Sequence, residues 1–293
     1  MSALPPMKGE VPQRGGEVIF TEDTMSKNGM MDFLYGHAAG RALLNILLKA
    51  GLPKLMAAYL RSGLSRPMIG EYIKKYSIDL SEFEDVPYRS FSDFFIRKRK
   101  NPVFDAEPSH LISPCDGLVS SFPISSDSAF EIKNSLYRIS DLLHDEKTAE
   151  KFIGGDCLIF RLRAQDYHRY CFIDSGFVHE NRFFEGQLHS VQPIALLNYP
   201  VFRLNRRVST LMDTDHFGLT AQIEVGAMAV GGMVNPYENC RVEKGQEMGR
   251  FELCGSTIVM LFEKGRIQLL PELKEKLSNG REVPVRYGEQ IGE

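Results

Sequence analysis

The sequence lacks any run of about 18 consecutive apolar residues, the minimum for a helix that crosses a bilayer. Its most apolar stretch, Ala42 to Leu60, is interrupted by Asn45, Lys49, Pro53 and Lys54. The residues before 30 are polar and rich in Gly, Pro and Glu, with no apolar segment of the kind a secretory signal carries. Cysteines are few: Cys115, Cys157, Cys171, Cys240 and Cys254, an odd number with no C-x-x-C pair. That argues against a disulfide framework and for a reduced, cytosolic compartment. With a net charge of -3, and neither a basic arm nor zinc-finger spacing, the chain has no nucleic-acid signature. Internal repeats and low-complexity linkers are also missing. What remains is an ordinary globular composition, 43% hydrophobic and 25% charged, which excludes disorder.

Three textures follow one another. Residues 1–29 read as a loose lead-in with one short strand, Glu17 to Phe20. Residues 30–80 read as amphipathic helices: Leu34, Ala38, Leu43, Leu44, Leu47 and Leu48 recur at helical spacing, and a later helix is predicted from Pro67 to Tyr76. This stretch is basic, with seven Lys and Arg against two acids over residues 31–76. Such helices suit an anionic membrane surface, and equally a helical cap whose charges face water. From residue 81 to 293 short apolar runs alternate with Gly, Pro, Asn and Asp, the pattern of short strands, with one helix expected near Ser140 to Lys151. The fold class is therefore α+β: a mainly β catalytic domain of short antiparallel strands with an N-terminal helical layer.

Chemistry concentrates at three places: Ser113-Pro114-Cys115-Asp116-Gly117, Asp166-Tyr167-His168-Arg169-Tyr170-Cys171, and Cys254-Gly255-Ser256-Thr257. An acid, a base and a hydroxyl in that order decide little by themselves. Gly255-Ser256 has more context, lying between a short strand and a strongly apolar one, Ile258 to Phe262. Glycine permits backbone conformations barred to other residues. A strained peptide before a serine favours attack of its hydroxyl on the preceding carbonyl. Taken alone, though, Gly-Ser-Thr is more often a tight turn. His168 and Cys171 as an H-x-x-C metal pair lack a second pair of ligands, so no metal is expected.

These stretches, with Phe94-Phe95-Ile96-Arg97, Ser190-Val191-Gln192-Pro193, Asn205-Arg206-Arg207-Val208, Val225-Gly226-Ala227 and Lys244 to Phe251, make the chain resemble the phosphatidylserine decarboxylases from about Phe91 to Leu270. The resemblance implies self-cleavage between Gly255 and Ser256. The products would be a β chain of residues 1–255 and an α chain of 256–293, a heterodimer whose further homo-oligomerisation the sequence leaves open. Ser256 would become a pyruvoyl group, the covalent cofactor, which serves as an electron sink for decarboxylation. Implied with it are a phospholipid substrate, phosphatidylethanolamine as product, and peripheral contact with the cytoplasmic face of the cell membrane through the helices and through Arg97 to Lys100. Asp116 matches the family's acid, which orients a base. His168 matches a histidine used in decarboxylation, as proton donor or substrate contact. The family's second histidine, the base that activates the serine, is absent: Cys171 stands there. Three readings stay open: Cys171 fills that role itself, His189 takes it, or the chain processes slowly or not at all and is a lipid-binding relative without activity. A pyruvoyl decarboxylase of a soluble amino acid is the other alternative. Arg206, where the family usually has Glu, has no assigned consequence.

Overall fold

The structure is a computed structural model that describes residues 29–132, 135–191, 193–227, 232–253, 256–278 and 280–293. The strand expected at Glu17 to Phe20 and the residues Cys254 and Gly255 lie outside these.

Five helices open the described chain: α1 (Gly29–Gly36), α2 (Ala38–Lys49), α3 (Leu52–Arg61), α4 (Met68–Tyr76) and α5 (Phe91–Phe95). The break between α2 and α3 falls at Gly51, whose φ of 78° is left-handed, and Pro53 sits in the first turn of α3. The helix expected near Ser140 to Lys151 is two short ones, Ile139–Leu143 and Glu146–Glu150. His144 ends the first at a φ of 51°, and the Asp145 side chain caps the second through the Thr148 N–H.

An antiparallel sheet of eight strands forms the body. Its order is Cys240–Val242, Gly176–Phe184, Arg207–Thr214, Gly218–Val225, Ser256–Phe262, Asp156–Leu162, Gly117–Pro123 and Val283–Val285. The Ser256–Phe262 strand is central and buried on both faces, which is why its sequence reads as a continuous apolar run. Side chains alternate between those faces. Val259 and Leu261 join a core with Ile223, Val225, Tyr35 and Leu44, covered by α1 and α2. Ile258, Met260 and Phe262 join a second core with Phe160, Leu162, Tyr170, Cys171, Met248 and Phe251. A three-stranded sheet closes this second face, in the order Met233–Val234, Glu247–Phe251, Arg169–Cys171. A third cluster joins Ala57 and Leu60 of α3, Ile69 of α4, and Phe91, Phe94 and Phe95 of α5 to Leu253, just ahead of the central strand.

Candidate active site

The central strand begins at Ser256, which pairs with Leu162. Its residue is 1% exposed, and its Oγ has no hydrogen-bond partner among the described residues. A buried hydroxyl without a partner costs free energy, so its retention points to chemistry rather than packing. The chain reaches it through the turn at Lys244-Gly245, where Gly245 has a φ of +75° and the Phe104 ring lies where a Cβ would stand. It then runs along the Glu247–Phe251 strand, whose Phe251 N–H donates to the His168 carbonyl at 2.9 Å.

His168 is 1% exposed. Its Nδ1 donates to the Asp166 carbonyl at 2.8 Å, which leaves the lone pair on Nε2, and Nε2 has no partner among the described residues. The Phe95 ring packs 4.0 Å from the imidazole. Burial, then the nearby Arg97 cation, pull its pKa down to about 3, so the ring is neutral.

Asp116 is held from two sides. Its carboxylate takes Nη2 of Arg99 at 2.7 Å and the Tyr287 N–H at 2.8 Å. It lines a cavity of about 820 Å³ together with Arg163, Asp166 and Tyr287. The Ser113–Gly117 and Asp166–Cys171 stretches meet here: the Cys171 N–H donates to the Pro114 carbonyl at 2.9 Å. The Cys171 thiol is directed at the Ser113 carbonyl, 3.9 Å away, and is fully buried. Burial pushes its pKa up to about 12.

His189 lies in the layer of the first core, on the face to which Thr257 rather than Ser256 points. Its ring stacks on Tyr199 with centroids 4.5 Å apart and meets the edge of Tyr35. Nε2 pairs with the Gln187 side chain, the His189 backbone N–H donates to Asn205 Oδ1, and Nδ1 has no partner among the described residues. The structure thus gathers Ser256, His168, Asp116 and Cys171 around the second face and places His189 across the sheet.

Arg97 does not join a basic surface. It is 3% exposed, its guanidinium between the rings of Phe83 and Phe94 at 4.7 and 5.0 Å, with Nη2 on the Gln165 carbonyl. Arg99 is committed to Asp116, which leaves only Lys98 and Lys100 of that run at the surface. Arg206 pairs with Glu185 at 2.8 Å and lies over the Phe183 ring.

Sequence reasoning missed Glu224. It is fully buried, pairs across strands with Ile258, and so shares the face of Ser256. Gln222 Nε2 and Asn235 Nδ2 donate to its two oxygens at 2.8 and 2.9 Å. Asn235 in turn accepts the Tyr170 hydroxyl at 2.6 Å. Burial raises its pKa to about 7. The one available sequence signal was a charged residue inside an apolar strand.

The family model for phosphatidylserine decarboxylase matches residues 91–293. A phosphatidylserine decarboxylase proenzyme 2 of Clostridium acetobutylicum is 41% identical over 91% of this chain and 92% of its own length. Phosphatidylserine decarboxylase proenzymes from Ruminiclostridium cellulolyticum and Clostridium beijerinckii are 37% and 34% identical, over 90% and 93% of this chain and 90% and 95% of theirs. Fold, buried serine and relatives together define a carboxy-lyase made as a proenzyme. The chain belongs to the phosphatidylserine decarboxylase family.

Proposed function

We propose that this chain cleaves itself between Gly255 and Ser256, turns Ser256 into a pyruvoyl group, and decarboxylates phosphatidylserine to phosphatidylethanolamine at the cytoplasmic face of the cell membrane. The observation that carries the reading is the Ser256 hydroxyl, sealed and without a partner among the described residues at the head of the central strand. The surroundings fit such a group. Leu162, Ile258 and Leu253 are buried around the strand end and exclude water, and a neutral imidazole stands in the adjoining segment. The pyruvoyl group supplies an electron sink for the bond to the departing carboxylate. His168 holds an acceptor at Nε2 through the fixed Nδ1 donation to Asp166. Asp116, locked by Arg99 and Tyr287, fixes the Ser113–Gly117 loop against Cys171.

The helical layer supports a lipid over a soluble amino acid. Met30, Leu43, Ile46, Leu55, Tyr59 and Leu64 are exposed on α1 to α3 and the turn that follows, beside basic side chains. No single described helix is long and apolar enough to cross a membrane, although α2 and α3 together, bent by 60°, reach that length and composition. A surface-lying arrangement buries these side chains at the headgroup boundary. α3 also touches the segment ahead of Ser256: Arg61 pairs with Glu252 at 2.7 Å, and Leu60 packs with Leu253. In this reading one helix, α3, links the lipid surface to the segment ahead of the reacting residue.

Cys171 is the observation that favours the other reading, an unprocessed lipid-binding relative, because a buried thiol is a poor base. Intact-mass spectrometry of the purified protein separates the two. A fragment of residues 256–293 with a pyruvoyl N-terminus is expected. Full-length chain alone, after incubation with phosphatidylserine vesicles, would overturn the proposal.

A further inference from the structure

The family's base for self-cleavage is missing at Cys171, and the structure narrows what takes its place. This inference rests on the self-cleavage reading above. The other candidate acceptors are paired, sealed in the core or on the far side of the sheet. Cys171 lies fully buried in the second core, its thiol directed at the Ser113 carbonyl. His189 stands on the opposite side of the sheet between Tyr199 and Tyr35. The two oxygens of Glu224 take Gln222 and Asn235, and Asp116 takes Arg99 and Tyr287.

His168 differs. Its Nε2 and the Ser256 Oγ are both buried and both without partners among the described residues. The two atoms are not hydrogen-bonded to each other in this structure, but two chain segments bring their residues to one corner. From Leu162, opposite Ser256, the chain turns through Arg163–Asp166 to His168. The His168 carbonyl then takes the Phe251 N–H, shortly ahead of Ser256 on the other segment. Phe95 packs on the imidazole and shares a cluster with Leu253, which closes the corner against water. The hydrogen bond from Nδ1 to the Asp166 carbonyl fixes the tautomer in which Nε2 accepts.

We propose that His168 is the base for self-cleavage in this chain. Its Nε2 takes the Ser256 hydroxyl proton as Oγ attacks the Gly255 carbonyl carbon, and it returns that proton to the Ser256 nitrogen as the Gly255–Ser256 C–N bond breaks. The product is an ester on Oγ and a free amine; the proton count is unchanged and no further reactant is consumed. One imidazole then serves both processing and decarboxylation, in place of two histidines.

The test follows cleavage of the full chain by intact mass, in wild type and in His168→Ala, His168→Gln and Cys171→Ala, each checked for folding by its melting curve. The His168 variants are expected to cleave at least ~100-fold more slowly, the lower range for removing a general base, and Cys171→Ala within about threefold of wild type. The proposal is overturned if a folded His168→Gln cleaves at the wild-type rate, or if Cys171→Ala stays full-length. Wild type that never cleaves sinks the self-cleavage reading itself, a distinct outcome. A second measurement needs no variant. The Arg97 and Asp116 charges, the Asp166 backbone carbonyl and the Phe95 ring surround His168, which stays neutral throughout, so the wild-type rate is expected to be level between about pH 8 and 10. A thiolate base at Cys171 would instead raise it about tenfold per pH unit.

Discussion

Glu224 should make this protein less stable as the pH rises from about 4.5 to about 7. Its carboxyl is buried without a cation among its hydrogen-bond partners, only the side-chain amides of Gln222 and Asn235. Burial raises its pKa from 4.5 to about 7 in the folded state. Below the unfolded value the group is neutral in both states and costs nothing. Above it the unfolded chain gives up the proton while the folded chain keeps it, so stability falls until the folded carboxyl also ionises near pH 7. The difference corresponds to a loss of about 3 kcal/mol across the window, an upper figure for a hydrogen-bonded group. Glu224→Gln removes the titration. It also leaves one amide donor facing another, a pH-independent loss of about 1 kcal/mol. Urea denaturation of both proteins, at steps between about pH 5 and 8, isolates the group in the difference curve. Wild type is expected to lose stability relative to the variant as pH rises, so that the variant becomes the more stable near pH 8. Two parallel curves would refute the argument, and with it the claim that Glu224 is dry and without a cation.

Arg207 is fully buried, with its donors on the carbonyls of Leu142, Asp141, Arg203 and Asn205 and its plane over the Phe184 ring. Arg207→Leu strands those carbonyls and is expected to cost about 3 kcal/mol in a denaturation midpoint. Gly249 has the Asn235 side chain and the Val234 carbonyl 2.4 Å from where a Cβ would stand. Gly249→Ala should therefore push the Met233–Val234 strand away and lower stability by about 1–3 kcal/mol, read from the same denaturation. Leu55 and Tyr59 are 69% and 43% exposed on α3. Replacing both with Glu should weaken pelleting with anionic phosphatidylserine vesicles by roughly tenfold or more per side chain, while leaving self-cleavage in solution intact. Unchanged pelleting would mean that α3 does not meet the lipid. Ser256→Ala is expected to remain full-length under all conditions, by intact mass.

Much of the fold was legible because its signals are local. Helical spacing over Leu34 to Leu48 and the break at Leu52-Pro53 mark α2 and α3 directly. The uninterrupted apolar run after Ser256 marks a strand covered on both faces. The error at Ser140 to Lys151 came from a left-handed His144, which composition does not announce. Arg97 to Lys100 looked like one basic surface, because charge is read residue by residue. Packing sent Arg97 between two phenylalanines and Arg99 to Asp116, since each found aromatic or anionic partners far away in the chain.

The sequence by itself determined the class of chemistry. Gly255-Ser256 decided little alone; it was the run of motifs shared with one family, in that family's order, that implied the chemistry. The sequence also put a cysteine at 171, where the resemblance implies a histidine base. Only the tertiary structure decided what surrounds Ser256. Strand alternation sends Ser256 and Thr257 to opposite faces, and that alone separates His189 from the serine. The pairing of Phe251 with His168 and of Ser256 with Leu162 brings two distant segments to one corner. Those pairings depend on long-range register, and no local pattern of residues encodes which strand a strand will meet.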